Sequence, residues 1–211
     1  MAAAMSAVVP SLAFGWPQLG GVLGAYVLGC LNTGYYLVRW RTGQDLRATG
    51  SGNAGAKNVS RLLGPWGFGC TVLGDMGKGA LAVAAARLLG WDELAAALVA
   101  IAVTAGHNWP VQLGFRGGKG VATSYGALLV FDPTVAGLML GACGLLVAAT
   151  RRFTLSAVSA FALSPILAAA CGHPLPEIVL LAPLSGLVIF AHRENLRAEL
   201  ANGASPSPDP P

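Results

Sequence analysis

The feature that constrains this chain most is a succession of long, nearly uncharged apolar runs. Seven are marked, at about residues 20–38, 66–89, 94–106, 121–131, 135–149, 154–170 and 177–191. They are continuous rather than broken into the stripe of a water-soluble amphipathic helix. Of the 211 residues, 55% are hydrophobic and 10% are charged, whereas a soluble domain carries about 25% charged residues. So few charges cannot clothe a surface in water, so the bilayer is the solvent predicted for most of the chain. In hydrocarbon the backbone must satisfy its own polar groups, which favours helices. The prediction is an all-α, polytopic integral membrane helix bundle with about seven transmembrane helices. Several segments fall short of the ~20 residues of an ideal span and call for local thinning or flanking extension.

Seven crossings place alternate loops on opposite sides. One side collects Arg39, Arg41, Arg47, Lys57, Arg61, Arg116, Lys119, Arg151, Arg152, Arg193 and Arg197, eleven of the thirteen basic residues. The other side has Arg87 with Asp92, Glu93, Asp132 and Glu177, and Lys78 lies inside the second segment. Basic loops stay in the cytoplasm. The N-terminus is therefore expected outside and the C-terminus inside, and an even number of spans would scramble the partition. Residues 1–19, interrupted by Pro10 and Pro17, read as an apolar extension, with a short extra helix as the lesser option. No Lys or Arg precedes Arg39, so the basic region of a signal peptide is missing. Residues 20–197 read as one membrane domain and 198–211 as a disordered cytoplasmic tail, rich in Pro and Ser from 202 onward. Cys30, Cys70, Cys143 and Cys171 lie in or near apolar segments and read as small core residues rather than disulfides or metal ligands.

Four polar strings interrupt this pattern. The first is GSGNAGAKNVSR, residues 50–61, which places Ser51, Asn53, Lys57, Asn58, Ser60 and Arg61 among three glycines. Glycine lets the backbone turn its N–H groups toward an anion, and arginine can hold a phosphate in a bidentate fork. The second is GFRGGKGVAT, residues 114–123, where Gly117, Gly118 and Gly120 surround Lys119 just before an apolar helix. A helix N-terminus with a lysine is a natural phosphate site, although the spacing is not that of a Walker A loop. The third is GDMGKG, residues 74–79, in which Asp75 and Lys78 share a helix face within a span. Charges at that depth face a cavity or a partner, so a substrate-binding role and a structural ion pair both stand open. The fourth is HRENLR, residues 192–197, with His192 and Asn195 on one face of a continuing helix. His107, at the end of the third segment, is read as structural more than ligand-binding, and His173 has no assigned role.

These strings offer many phosphate-type donors and few bases. They contain no His–carboxylate cluster suited to a metal and no Gly-x-Ser-x-Gly elbow. The chemistry they suggest is transfer between phosphate-bearing substrates, with electrostatic positioning carrying the catalysis.

Taken in order, GSGNAGAKN…R, Asp-x-x-Lys-Gly, GH…P…F-x-GGKGVAT and HRENL closely resemble the bacterial acyl-phosphate-dependent glycerol-3-phosphate acyltransferases, from about Tyr26 to Arg197. The resemblance implies seven helices in the bacterial cytoplasmic (inner) membrane with an active site on the cytoplasmic face. It implies transfer of an acyl chain from acyl phosphate to the 1-hydroxyl of glycerol 3-phosphate, yielding 1-acyl-glycerol 3-phosphate and phosphate. Membrane lipid is the surrounding partner, and no cofactor, metal, acyl-CoA, nucleic acid or obligatory protein partner is implied. By motif match, Ser51, Arg61, Lys119, His192 and Asn195 are expected in the catalytic set. Asn53, Asn58, Asp75, Lys78, Gly117, Gly118, Gly120 and Thr154 are expected to bind substrate, and Glu194 to be structural. Thr154 stands where the family's Arg-x-x-Ser-Leu stretch has serine. Two further departures are Gly29-Cys30-Leu31-Asn32-Thr33-Gly34-Tyr35 in place of Gly-Ser-Ile-Pro-Phe-Gly-Tyr, and Lys57 in place of threonine.

Two other classes compete. A transporter of anions or phospholipids would place its site at the midplane between repeated halves, whereas this chain shows no repeat and gathers its polar strings at one face. An acyl-CoA acyltransferase of the His-x-x-x-x-Asp type is disfavoured because Gln112, Ile178 and Arg197 stand five residues after His107, His173 and His192.

Overall fold

The structure is a computed structural model that describes residues 14–201. The expectations for residues 1–13 and 202–211 lie outside the described residues, whereas residues 198–201, expected in a disordered tail, continue the last helix to Ala201. Regular structure among the described residues is helical throughout, in the order α1 (Trp16–Cys30), α2 (Thr33–Thr42), α3 (Ala56–Leu88), α4 (Glu93–Asn108), α5 (Val121–Phe131), α6 (Pro133–Thr150), α7 (Phe153–Ala170), α8 (Leu175–Ala191) and α9 (Arg193–Ala201). Short 3-10 turns occupy Leu46–Ala48 and Val111–Leu113. Four stretches, Trp16–Thr42, Glu93–Leu113, Pro133–Thr150 and Phe153–Ala170, are long and apolar enough to cross a membrane, while Val121–Phe131 and Leu175–Ala191 are apolar but shorter.

The helix ends follow local chemistry. Asp92 caps α4 by accepting from the Ala95 N–H at 2.8 Å, and Asp132 caps α6 by accepting from the Val135 N–H at 3.0 Å. Inside α3, Gly64 has φ 65° and ψ −164° and is followed by Pro65, so the helix is two pieces merged across a kink. Glycine tolerates that left-handed φ, and Pro65 opens the second piece, where a missing N–H costs nothing. The piece before the kink carries Asn58 and Arg61, and the piece after it is the apolar segment read from sequence.

The first apolar segment is also two helices. It breaks at Leu31–Asn32, although the family's proline is absent there and asparagine replaces it. A break frees carbonyls and N–H groups, which must find partners in a low-dielectric bundle. Lys78 Nζ donates to Gly29 O at 3.0 Å and Leu31 O at 2.8 Å. Gln112 Nε2 donates to Cys30 O at 2.7 Å. Asp75 accepts from the Thr33 N–H at 3.3 Å and pairs with Lys78 at 2.9 Å. Asn32 Nδ2 donates to the His107 carbonyl at 3.2 Å.

Tertiary packing centres on two helix pairs, α1 against α4 and α3 against α5. Glycine lets each pair approach backbone to backbone. A Cβ at Gly29 would meet the Val103 carbonyl and one at Gly106 the Tyr26 carbonyl, while Gly79 and Gly126 lie on the carbonyls of Thr123 and Met76. Lipid tails are as apolar as the helices, so close van der Waals contact between small residues drives association. In its apolar stretch α4 is 67% buried and α6 only 17%, so α4 is central and α6 peripheral.

At the opposite end from the glycine-rich loops, His173 joins two carboxylates. Its Nδ1 lies 2.8 Å from Glu177 and its Nε2 lies 3.2 Å from Asp132. Both ring nitrogens can donate only in the imidazolium, so the Glu177 hydrogen bond, with Asp132 adding, raises the pKa above the ordinary 6.5.

Two predictions follow from these polar contacts. Lys78→Met leaves the Asp75 carboxylate and two carbonyls buried without their donor and is expected to cost about 3–5 kcal/mol, the range for breaking a buried pair. Unfolding of detergent-solubilised protein measures this, and wild-type stability in the variant would refute it. For His173, a raised folded-state pKa means that the contribution is full below the unfolded value and is lost as pH rises through the folded one. His173→Gln should therefore lower the melting temperature at about pH 5.5 and scarcely at about pH 9. Equal losses at both pH values would exclude this clamp.

Candidate functional site

The site is built from two loops at one end of the bundle. The first begins at Asp45, whose carboxylate accepts from the Arg47 N–H at 2.9 Å, Nε at 3.0 Å and Nη2 at 2.7 Å. These bonds hold the Asp45 carboxyl down at about 2. Arg47 in turn donates through Nη1 to Leu113 O at 2.5 Å and lies over the Tyr35 ring at 5.0 Å. Counted from sequence only among the cytoplasmic basic residues, Arg47 thus fastens the first loop to the second. Its one sequence signal is the adjacent Asp45, an acidic residue in an otherwise basic loop.

Asn58 organises the rest of the first loop. Its carboxamide is 2% exposed. The two Nδ2 hydrogens are shared among the carbonyls of Leu46, Thr49 and Asn53, each at 3.0 Å. Its Oδ1 accepts from the Ser51 N–H at 3.1 Å and from Arg61 Nη1 at 3.3 Å. Gly50 and Gly52, at φ 53° and 68°, let the chain turn around this amide. Asn53 Oδ1 accepts from the Gly55 N–H at 2.8 Å. Of the two asparagines read as substrate ligands, Asn58 has both amide atoms engaged within the loop and Asn53 its Oδ1, whereas Ser51 and Arg61 are exposed and presented by it.

The second loop folds back on the end of α4. The Gly117 N–H donates to Asn108 O at 3.1 Å and the Gly118 N–H to His107 O at 3.0 Å. The Ala54 N–H donates to Gly117 O at 3.3 Å, which joins the two loops through their backbones. Gly120, at φ 82°, turns the chain into α5, whose first turn has no side-chain cap. Beneath Gly120 lies Asn108, 3% exposed, with neither carboxamide atom partnered among the described residues. Sequence reading passed over Asn108 because a lone asparagine between two helices carries no pattern.

Lys119 hydrogen-bonds through Nζ to Asn195 Oδ1, bringing α9 onto the second loop. Burial pushes the Lys119 pKa down, with Glu194 opposing. His192 is buried at the α8–α9 joint and its Nδ1 lies 2.8 Å from Val188 O. A carbonyl only accepts, so Nδ1 carries the proton and Nε2 has the lone pair. Burial lowers the His192 pKa, and the Lys119 charge acts the same way. Glu194 is exposed and lies 3.8 Å from Arg193.

Ser51, Asn53, Asn58 and Arg61 thus form one group, and Lys119, His192 and Asn195 a second, bridged by Ala54–Gly117. Asp75 and Lys78 belong to neither. They are 3% and 6% exposed and turn inward to the α1–α2 break, where they form the ion pair. Thr154 lies in the first turn of α7, and no hydrogen bond among the described residues joins it to either group.

Apolar helices packed through glycine, with polar loops gathered at one end, make this an integral membrane protein. The family model described as Glycerol-3-phosphate acyltransferase matches residues 19–202. Glycerol-3-phosphate acyltransferase 1 of Desulfitobacterium hafniense is 45% identical over 185 residues, 87% of this chain and 91% of that protein. The Clostridioides difficile glycerol-3-phosphate acyltransferase is 45% identical over 184 residues, 85% of this chain and 89% of that one. A crystal structure of PlsY (YgiH), an integral membrane glycerol 3-phosphate acyltransferase, in its glycerol 3-phosphate form, superposes with a TM-score of 0.81 at 31% identity, covering 90% of this chain and 94% of that one. This chain belongs to the glycerol-3-phosphate acyltransferase family and is an acyltransferase.

Because Asn58 supplies both donors and acceptor to its loop, Asn58→Ala is expected to destabilise the protein by about 1–3 kcal/mol for each carbonyl left unsatisfied. It should also abolish most acyl transfer by releasing Ser51 and Arg61. Ser60→Ala, two residues away, should be near neutral. Comparable stability and turnover in both variants would contradict the organising role.

Proposed function

We propose that the protein transfers an acyl chain from an acyl phosphate to the 1-hydroxyl of sn-glycerol 3-phosphate on the cytoplasmic face of a bacterial inner membrane. The products are 1-acyl-sn-glycerol 3-phosphate and phosphate. The observation that carries this reading is the joining of the Ser51–Arg61 loop to the Lys119 loop by the Ala54–Gly117 bond, which lets cations from two elements serve one pair of phosphate-bearing substrates. The broken helix α1–α2, the later part of α3, and α4 to α8 are read as seven crossings, N-terminus outside and C-terminus inside, from the partition of basic residues.

The chemistry asks little of acid–base groups. An acyl phosphate already has a good leaving group, so the protein must chiefly bring hydroxyl and carbonyl carbon together and neutralise phosphate charge. Proximity alone can supply ~7–11 kcal/mol. Arg61 offers a planar fork and Lys119 a point charge, with the uncapped N-terminus of α5 adding N–H groups beside Lys119. Ser51 and Asn195 orient the acceptor. As the acceptor oxygen forms its bond to the acyl carbon, its proton passes to a phosphate oxygen and the C–O bond to the leaving phosphate breaks, while His192 Nε2 keeps its lone pair at the edge of the site.

Purified protein should form product from glycerol 3-phosphate with palmitoyl phosphate and none with palmitoyl-CoA, and the reverse would sink the assignment. Arg61→Ala and Lys119→Ala should each lower kcat/KM about 10- to 150-fold, the counterpart of a charged hydrogen bond of ~1.5–3 kcal/mol. Arg61→Lys should recover little. Arg87→Ala, which breaks a pair with Glu93 at 2.5 Å among the outer loops, should leave the KM for glycerol 3-phosphate unchanged.

A further inference from the structure

We propose that His107 is a positioning residue for Lys119: its imidazole is the floor on which Gly118 rests, and the buried Asp75–Lys78 pair holds that floor in place. The inference rests on the reading of Lys119 as a phosphate-binding residue.

Three observations carry it. First, the ring orientation is determined. Lys78 Nζ lies 2.9 Å from His107 Nδ1 while also bonding Asp75 and the carbonyls of Gly29 and Leu31. These contacts hold the ring by its Nδ1 side and leave the Nε2 edge facing away from the pair. The ring is 3% exposed and its plane is tied to the α1–α2 break. Second, Nε2 points at the glycine–lysine loop. A Cβ built on Gly118 would meet Nε2 first and then Cε1 and Cδ2 of the same ring, with no other atom among its three nearest. Third, the backbone on either side is anchored to the same turn, through Gly118 N–H to His107 O and Gly117 N–H to Asn108 O. Lys119 is the next residue. The height of its Cα above α4 is therefore set by how far the Nε2 edge of the imidazole reaches.

Gly117 provides the contrast. A Cβ there would meet the backbone carbonyls of His107 and Asn108 and the Pro110 ring. No change of the His107 side chain makes room for it. Neither glycine has a positive φ, so alanine at either position is opposed by contact and not by backbone strain.

The geometry therefore predicts a compensation that a residue acting only through general stability would not produce. Gly118→Ala should lift the loop and lower kcat/KM for glycerol 3-phosphate by up to about 100-fold, the loss attached to a ~1 Å misplacement. Gly118→Ala with His107→Asn should recover at least about tenfold of that, because asparagine removes the Nε2 edge yet keeps a polar carboxamide atom beside Lys78 where Nδ1 stood. Gly117→Ala with His107→Asn should recover nothing. Kinetics are measured with palmitoyl phosphate on full-length protein that is monodisperse by size exclusion. If the asparagine variant does not fold, His107→Ala replaces it, since alanine also vacates the space of the Nε2 edge.

Rescue of Gly118→Ala but not of Gly117→Ala supports the inference. Wild-type kcat/KM in Gly118→Ala, equal impairment with and without the His107 substitution, or equal rescue of both glycine variants overturns it. Near-normal activity in Lys119→Ala overturns the underlying reading of the phosphate site, and the inference with it. An inactive Lys119→Ala together with absent rescue overturns the inference alone.

Discussion

An ammonium and a carboxylate inside an apolar bundle are expensive to desolvate, and their mutual attraction offsets that cost only when every remaining donor and acceptor is used. The Asp75–Lys78 pair meets this condition by giving its spare valences to a broken helix: Lys78 takes two carbonyls at the end of α1, and Asp75 takes the first N–H of α2. The break and the pair depend on each other. Without the break, Lys78 would lack acceptors; without the pair, the break would leave backbone groups stranded in a water-poor interior. This joint lets the first apolar segment change direction in the absence of a proline. It also places Tyr35 and the following loop against Arg47.

From that joint, order passes toward the loops through short, named contacts. Lys78 meets His107 and Gln112 meets Cys30, so the end of α4 and the turn after it are fixed to the same point. The turn carries Gly117 and Gly118, and Gly117 receives Ala54 from the other loop. Arg47 adds a second tie at Leu113, and Asn58 closes the first loop on itself. A loop made of glycine would otherwise sample many conformations, at a conformational entropy cost of about 1–2 kcal/mol for each residue that must be ordered. Here its backbone donors and acceptors are used one by one, and the exposed Ser51 and Arg61 and the half-buried Lys119 remain for other partners. Glycine serves the bundle in a separate way at Gly29, Gly79, Gly106 and Gly126, where backbones of neighbouring helices touch.

Much of this was legible in the amino-acid order. All-helical structure followed from apolar runs with too few charges for a water-exposed surface, and the boundary at Trp66 anticipated the α3 kink to within two residues of Gly64. The glycine-rich strings and the order of the polar motifs led to the family before any geometry was known. Less legible was the division of labour inside those strings. Asn58 has the same chemistry as a ligand-binding asparagine, and only the positions of the Leu46, Thr49 and Asn53 carbonyls reveal that its amide is already engaged. Arg47 and Asn108 lie outside the strings, in stretches without pattern. The break at Leu31–Asn32 does not stand out in hydropathy, because one asparagine between Cys30–Leu31 and Thr33 does not interrupt the apolar run of residues 20–38.

The sequence by itself determined the solvent, the helical class and the inventory of phosphate-type donors, since these depend on composition and local periodicity. It also determined that Asp75 and Lys78 share a face, because i,i+3 spacing does that on any helix. Tertiary structure alone decided what that face looks at. Whether a buried pair faces a substrate cavity or a helix break depends on which backbone atoms another element brings within 3 Å, and here the element is separated from the pair by more than forty residues. The same holds for His107 beneath Gly118 and for Lys119 beside Asn195. Hydrogen bonds and van der Waals contacts decay within a few ångströms, so partners distant in sequence become neighbours only when the bundle closes.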